Sequence, residues 1–406
     1  MPVGVFWYNS DMPRFTLLNK HRSSEERSAE KEIFRHRLKK FIRVAVLAAI
    51  LIFVIWLLHR MYRNITFTDY DILSKEMRQD ADTSQYIAYN GHILKLSRDG
   101  AEAFEGNGKA IWNVTYEMQE PHAATCEDYV VLADEQGSEL LVASSAEDMH
   151  RISTKLPILD FCVSRQGVVA AVLGDGNISW IRLYNKEGEE LASIKCTMSE
   201  SGYPMDVSLS PSGELLAVSY VRVEGEDMRS SVAFYNFGEV GANESDHYMS
   251  GYDFTNTLIP RVKFLNDSTA FAMGTDKMAI FTGSQKPEKS YEYGFDNRVK
   301  SIFYSPDRIV LIRESALSGG YTASVFNISG DELISIPFDL DYIDAQVTKD
   351  RLIIYSDTHM LIYDMKGIVK YDGPFDESTI LVSATDDPRK YILVNRETVK
   401  QIRLVR

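Results

Sequence analysis

The chain has 406 residues, 45% of them hydrophobic and 25% charged, and a formal net charge of −14. That length holds one large β-domain or two ordinary ones. Residues 1–63 carry 12 Lys and Arg against 5 Asp and Glu, leaving 32 against 53, a net −21, for the rest; such a field repels nucleic acid and anionic lipid or polymer.

Residues 1–22 mix polar and aromatic side chains without a clean period, and residues 1–40 read as a cytoplasmic tail. Ser23 with Glu26 forms a capping-box pattern, and no Gly or Pro interrupts residues 25–43, so a helix is predicted from about residue 24. It runs into Val44 to Leu58, VAVLAAILIFVIWLL. Counted from Phe41 to Tyr62, the stretch has about 22 residues, enough at about 1.5 Å each to cross a hydrocarbon core of about 30 Å. Arg43, His59 and Arg60 would then reach back to the headgroups. Arg27, Lys31, Arg35, Arg37, Lys39, Lys40 and Arg43 crowd the N-terminal flank, while Arg60, Arg63, Lys75 and Arg78 are spread over the other. That asymmetry predicts a single-pass signal anchor over 41–62, N-terminus in the cytoplasm and the remainder extracytoplasmic. HRMYRN follows where small residues would mark a cleavage site, so the span is expected to stay uncleaved.

Residues 63–84 read as a juxtamembrane connector, and from residue 85 the texture is uniform. Short apolar runs recur about every 35–50 residues: QYIAY (85–89), YVVLA (129–133), VVAAVL (168–173), LLAVSYV (215–221), TAFAMG (269–274), RIVLIRE (308–314), RLIIYS (351–356) and KYILVN (390–395). Alternating runs that end in turn signals precede them, as in LDFCVSRQG, MDVSLSPSG, RVKFLNDS, VKSIFYSPD and IDAQVTKD. A third and fourth strand follow around a Gly turn in LKLSRDGAEAF, IRLYNKEGEELASI, VFNISGDELISI and LIYDMKGIVKY, with Gly100, Gly188, Gly330 and Gly367 at the turn. Four antiparallel strands per ~40 residues is the period of a propeller blade. The expected fold is all-β, an eight-bladed propeller over 85–406 with a seven-bladed ring as the alternative, preceded by one transmembrane helix. The last unit lacks a fourth strand after QIRLVR, and a strand near Ile65 to Ile72 is expected to complete it.

Sequence motifs for chemistry are few. Cys126, Cys162 and Cys196 are odd in number and have no CxxC spacing; three free buried thiols are expected, with one disulfide and a leftover thiol as the alternative. The eight histidines show no HxH or HExxH spacing, so no metal site is expected. No GxSxG, GxxxxGK[ST] or GxGxxG motif occurs. Asp339, Asp341 and Asp344 lack the Gly and distal Glu of a calcium loop and read as a solvated strand edge. Gly174 to Asn177 reads as a tight turn, and Asp386 with Asp387 as adjacent carboxylates that point apart. Six Asn-x-Ser/Thr triplets, at Asn64, Asn113, Asn177, Asn243, Asn266 and Asn327, read as turn chemistry. The longest departures from the repeat, 223–231 and 238–254, are where a rigid ring would carry binding residues.

GAEAFEGNGKAIWNVTYEM, with Gly108 and Trp112, resembles the blades of PQQ-like, eight-bladed propellers, and SLSPSGELLAVSY resembles the hairpin of WD40-type repeats. Anchor and propeller together resemble an uncharacterised family of single-span, membrane-anchored propeller proteins of Gram-positive, clostridia-type bacteria, designated only as a domain of unknown function. Trp112 and Trp180 are the only tryptophans in the domain, too few for a tryptophan set in every blade, and no cofactor is expected. The resulting expectation is a scaffold or assembly factor that binds a protein or cell-envelope component, with no catalytic residue to name. The alternative is an enzyme or small-ligand sensor with its site in the central channel, which a channel lined by converging His, Arg and carboxylates would favour.

Overall fold

The computed structural model describes residues 39–43, 45–57, 65–78, 84–225, 227–295, 299–315 and 319–406. Two units are distinguished, residues 1–65 and 66–406. In the first, the helix Lys39–Leu57 is long and apolar enough, by length and composition, to cross a membrane, properties that an anchor and a signal sequence share. The helical start expected near residue 24 and the last residues of the expected span, 58–62, lie outside the described residues.

In the second unit every apolar run is a strand. They form eight four-stranded antiparallel sheets: blade 1 (85–115), blade 2 (121–153), blade 3 (158–197), blade 4 (203–255), blade 5 (261–294), blade 6 (299–338), blade 7 (344–374) and blade 8 (379–405, completed from elsewhere). The second strand of each blade but the first is apolar on both faces because neighbouring sheets cover both, while in blade 1 Lys95 interrupts the run. In Val169–Asp175 and Arg308–Glu314 the central residues are fully buried. Eight hydrophobic clusters result, one between each pair of neighbouring blades, including blade 8 against blade 1. The ring is therefore closed, and eight-bladed instead of seven.

The fourth strand of blade 8 comes from the other end of the domain. Asp69–Met77 pairs antiparallel with Thr398–Val405, from Asp69 opposite Val405 to Met77 opposite Thr398. Ahead of it, Phe67 donates its N–H to the Lys370 carbonyl of blade 7 at 2.7 Å. Residues 69–77 thus lie a few positions beyond the expected 65–72.

Blade 1 corrects the phase of the repeat. QYIAY is its first strand, not its second, and LKLSRDGAEAF spans its second and third strands. The residue equivalent to Gly188, Gly330 and Gly367, all at positive φ, is Gly108 (φ 80°) and not Gly100. Blade 1 offers two Gly turns in a row, and alternation alone does not say which comes first. At Gly330 the requirement is also steric, since a Cβ would stand 2.2 Å from the ring of Tyr291.

The channel mouth as candidate functional site

The first strands of neighbouring blades pack against one another and are the innermost strands of the ring. An inner strand has one ladder edge left unpaired toward the axis, a row of N–H and C=O groups that needs other partners. At the start of these strands the ladder slips by one residue, between Ile158 and Asp160, Pro204 and Asp206, Val299 and Ser301, and Thr379 and Leu381. Leu159, Met205, Lys300 and Ile380 are the residues skipped. Ile343 takes the same position in blade 7, with its N–H on the Tyr355 carbonyl and Asp344 following. All inner strands run the same way, so these bulges share one end of the ring. A bulge places two residues opposite one and turns the extra side chain out of the ladder. Leu159, Met205, Ile343 and Ile380 are accordingly 41%, 37%, 57% and 41% exposed.

The aspartates beside two of these bulges bond the next blade. Asp160 accepts the Phe161 N–H (2.9 Å) on one oxygen and the Val207 N–H of blade 4 (3.3 Å) on the other. Asp206 accepts the Val262 N–H of blade 5 at 2.7 Å. Its other oxygen lies 3.5 Å from Lys263 Nζ and 3.6 Å from Arg261. One step along, Ser208 Oγ accepts the Phe264 N–H at 3.0 Å. The unpaired edges of blades 4 and 5 are thus satisfied by side chains of the blade before.

Burial, and then the neighbouring Asp206, push the Asp160 carboxyl up to about 6. Burial disfavours the Lys263 ammonium, but the Asp206 carboxylate 3.5 Å away holds it above the ordinary lysine range. Burial raises the Cys162 thiol to about 12, so it stays protonated. Inner strands of blades 2–6 enclose a hollow of about 700 Å³ lined by these groups together with His122, Glu135 and Tyr304. His122 Nε2 stands 3.8 Å from Glu135.

The residues singled out in the sequence do not assemble into one site. Residues 223–231 prolong the central hairpin of blade 4, Leu215–Glu224 with Asp227–Asn236, at the end of the ring that carries the bulges. Residues 238–247 form two short 3₁₀ turns, Gly241–Asn243 and Ser245–His247, at the opposite end. Asp344 lies at the bulge of blade 7, where burial raises its carboxyl, and takes the Tyr355 hydroxyl at 3.3 Å. Asp341 instead faces Lys300 at 4.0 Å and is 94% exposed. Asp387 accepts the Arg389 N–H within its own turn. Asn266 and Asn327 cap their own turns through the Ser268 and Ser329 N–H groups. Cys162 and Cys196 are buried free thiols, as expected, whereas Cys126 is only half-buried. Trp112 is 2% exposed in the core between blades 1 and 2. Among the described residues no group of three or more His, Cys, Asp or Glu is placed to hold a metal ion.

The profile of the "Family of unknown function (DUF5711)" matches residues 63–404. The chain belongs to this family. The matched DUF5711 segment takes in the closing strand Asp69–Met77 and its partner strand as far as residue 404, so both members of the closing pair lie within the family match. Among curated proteins the sequence finds no match. Among solved structures the DUF5711 ring is similar to BamB from Moraxella catarrhalis, at 11% identity over 83% of this chain and 100% of that one (TM-score 0.50). A computationally designed protein, Ika8, matches at 12% identity over 83% and 100% (TM-score 0.53). KlAtg21, solved in complex with the coiled-coil of AgAtg16, matches at 11% identity over 75% and 98% (TM-score 0.50). At such identities the likeness is one of fold.

Proposed function

We propose that this DUF5711 protein is a membrane-anchored, extracytoplasmic propeller that binds a protein or cell-envelope component and acts as a scaffold or assembly factor. The observation that carries the reading is the set of four aliphatic side chains, Leu159, Met205, Ile343 and Ile380, presented to solvent at equivalent bulges around one mouth. A rigid scaffold that spends apolar side chains on solvent at a repeated position offers a surface for a partner to cover. The basic flank of the apolar helix supports the cytoplasmic placement of the N-terminus. External protease applied to intact cells should cut the 238–247 loop of the full chain. Protection of that loop until the membrane is opened would overturn the extracytoplasmic reading.

A second reading, a small-ligand sensor or enzyme working in the channel, is favoured by the convergence of His122, Asp160, Asp206, Arg261 and Lys263 on one hollow. Both oxygens of Asp160 and of Asp206 already have protein partners. The binding reading therefore comes first. A small molecule that raises the melting temperature of the full chain, and no longer does so in Arg261→Ala, would reverse that order.

A further inference from the structure

We propose that the bulge-bearing mouth takes a basic amphipathic segment of a partner protein, its aliphatic side chains on Leu159, Met205, Ile343 and Ile380 and its Lys and Arg on the carboxylates between them. The inference rests on the binding reading above and names the partner's chemistry. Three of the four exposed aliphatic residues stand beside exposed acids, whereas Asp206 next to Met205 is buried and already paired with Lys263 and Arg261. Asp339 and Asp341 precede Ile343, Asp376 precedes Ile380, and Glu135 lines the same hollow as Leu159. The side chains of Asp341, Asp376 and Glu135 are 94%, 60% and 54% exposed. The cation that replaces an aliphatic residue in blade 6, Lys300, is held against two tyrosine rings and lies 4.0 Å from Asp341. Its ammonium lies 4.1 Å from the Tyr321 ring and 5.0 Å from the Tyr342 ring, and it donates to the Tyr321 hydroxyl at 2.5 Å.

Charge selects among occupants of such a patch. A second copy docked mouth to mouth would set acid against acid, and an anionic lipid surface is repelled by the same field. A segment with Lys and Arg flanking Leu, Ile or Val satisfies both parts, since apolar anchors supply affinity while the charges steer and orient.

The test uses the full chain in nanodiscs of uncharged lipid and two synthetic amphipathic helices, one of Leu and Lys and one of Leu and Glu, each carrying a benzophenone. The Lys peptide should crosslink to residues around the mouth, less so as salt rises. Its yield should drop about tenfold in the quadruple variant Leu159→Ser, Met205→Ser, Ile343→Ser, Ile380→Ser, all exposed positions that leave the core intact. An unchanged yield in that variant, or an equal yield from the Glu peptide, overturns the proposal. Photoreactive groups placed at positions 343 and 244 of the full chain in its native membrane separate the two readings. A protein captured at 343 through a basic segment supports the proposed mouth. Capture at 244 alone overturns it but keeps the scaffold, and capture at neither overturns both.

Discussion

The interface between blades 3 and 4 and the seam between blades 8 and 1 do the same job with different means. Fourteen buried residues make up the first cluster, among them Val172, Leu183, Val218, Tyr220 and Tyr235, and six make up the second: Ile93, Phe104, Leu381, Ile392, Val394 and Val399. Blades 3 and 4 are joined by continuous chain and stitched by Asp160. Blade 8 itself is assembled from the two ends of the domain, its fourth strand leading through residues 78–84 into blade 1, and the apolar cluster between blades 8 and 1 is the thinnest of the ring among the described residues. Closure there depends on the exchanged strand. Lys400, 2% exposed, lies 3.0 Å from Glu377, which lies 3.0 Å from Lys75 on the closing strand. Glu377 also accepts from Thr398 (2.9 Å) and Asn395 (3.2 Å). Lys75 first, then Lys400, hold its carboxyl down at about 2. A ring whose seam is thin in apolar burial is held by backbone pairing and a charge network, and it should open there first.

The sharpest way to break the comparison is to replace residues 66–77 by a Gly/Ser segment of equal length. The ladder from Asp69 to Met77 and its contacts with blade 7 vanish together, and the melting temperature of the domain should fall by about 10 °C or more. An unchanged melting curve would show that the seam closes without the strand. Next in size is Glu377→Ala, which leaves the buried Lys400 ammonium, among the described residues, with Asp376 4.0 Å away as its remaining ion-pair partner. Uncompensated buried charge makes this cost about 3 kcal/mol in denaturant unfolding. Lys400→Met, which removes the charge and keeps the stem volume, should cost less. At the thick interface, Val218→Ala should cost about 2 kcal/mol through its cavity alone, without opening the ring.

Much of this was open to sequence reasoning, and the parts that were not have physical causes. Blade number and the missing fourth strand follow from the spacing of apolar runs, because central strands buried on both faces read as uninterrupted runs whatever their neighbours. The phase of blade 1 is hidden, since Gly100 and Gly108 both sit in plausible hairpin turns and only the sheet pairing separates them. The mouth is hidden for a different reason. LDFCV, MDVSL and IDAQV each begin with an aliphatic residue and an aspartate, a repeated signal in plain view. Strict alternation assigns the two to opposite faces of a strand, whereas a bulge sets both opposite one partner residue, so that one faces solvent while the other caps a neighbouring strand. No local rule tells that an aspartate will bond the backbone of a blade about 47 positions further on.

The two carboxylates at the centre of the comparison titrate in opposite senses, which gives the smallest but most specific prediction. Asp160 is raised from 3.8 to about 6 in the folded ring. The folded state therefore holds its proton more tightly than the unfolded chain, so a penalty is fully present above about pH 6, shrinks on acidification and is gone below about 3.8. A shift of that size corresponds to about 2–3 kcal/mol. Glu377 is lowered from 4.5 to about 2, so its contribution is fully present above about 4.5 and is lost as pH falls toward 2. Denaturant unfolding of the full chain across pH 2–8 should show Asp160→Asn flattening the slope between 4 and 6 only, and Glu377→Gln flattening it between 2 and 4.5 only. The asparagine keeps one acceptor for the Phe161 N–H and gives up the bond to Val207, so its gain at pH 8 should be smaller than the full penalty by about 1 kcal/mol. If Asp160→Asn left the upper slope intact, the stitch between blades 3 and 4 would carry no buried charge, and the contrast with the seam would reduce to apolar area.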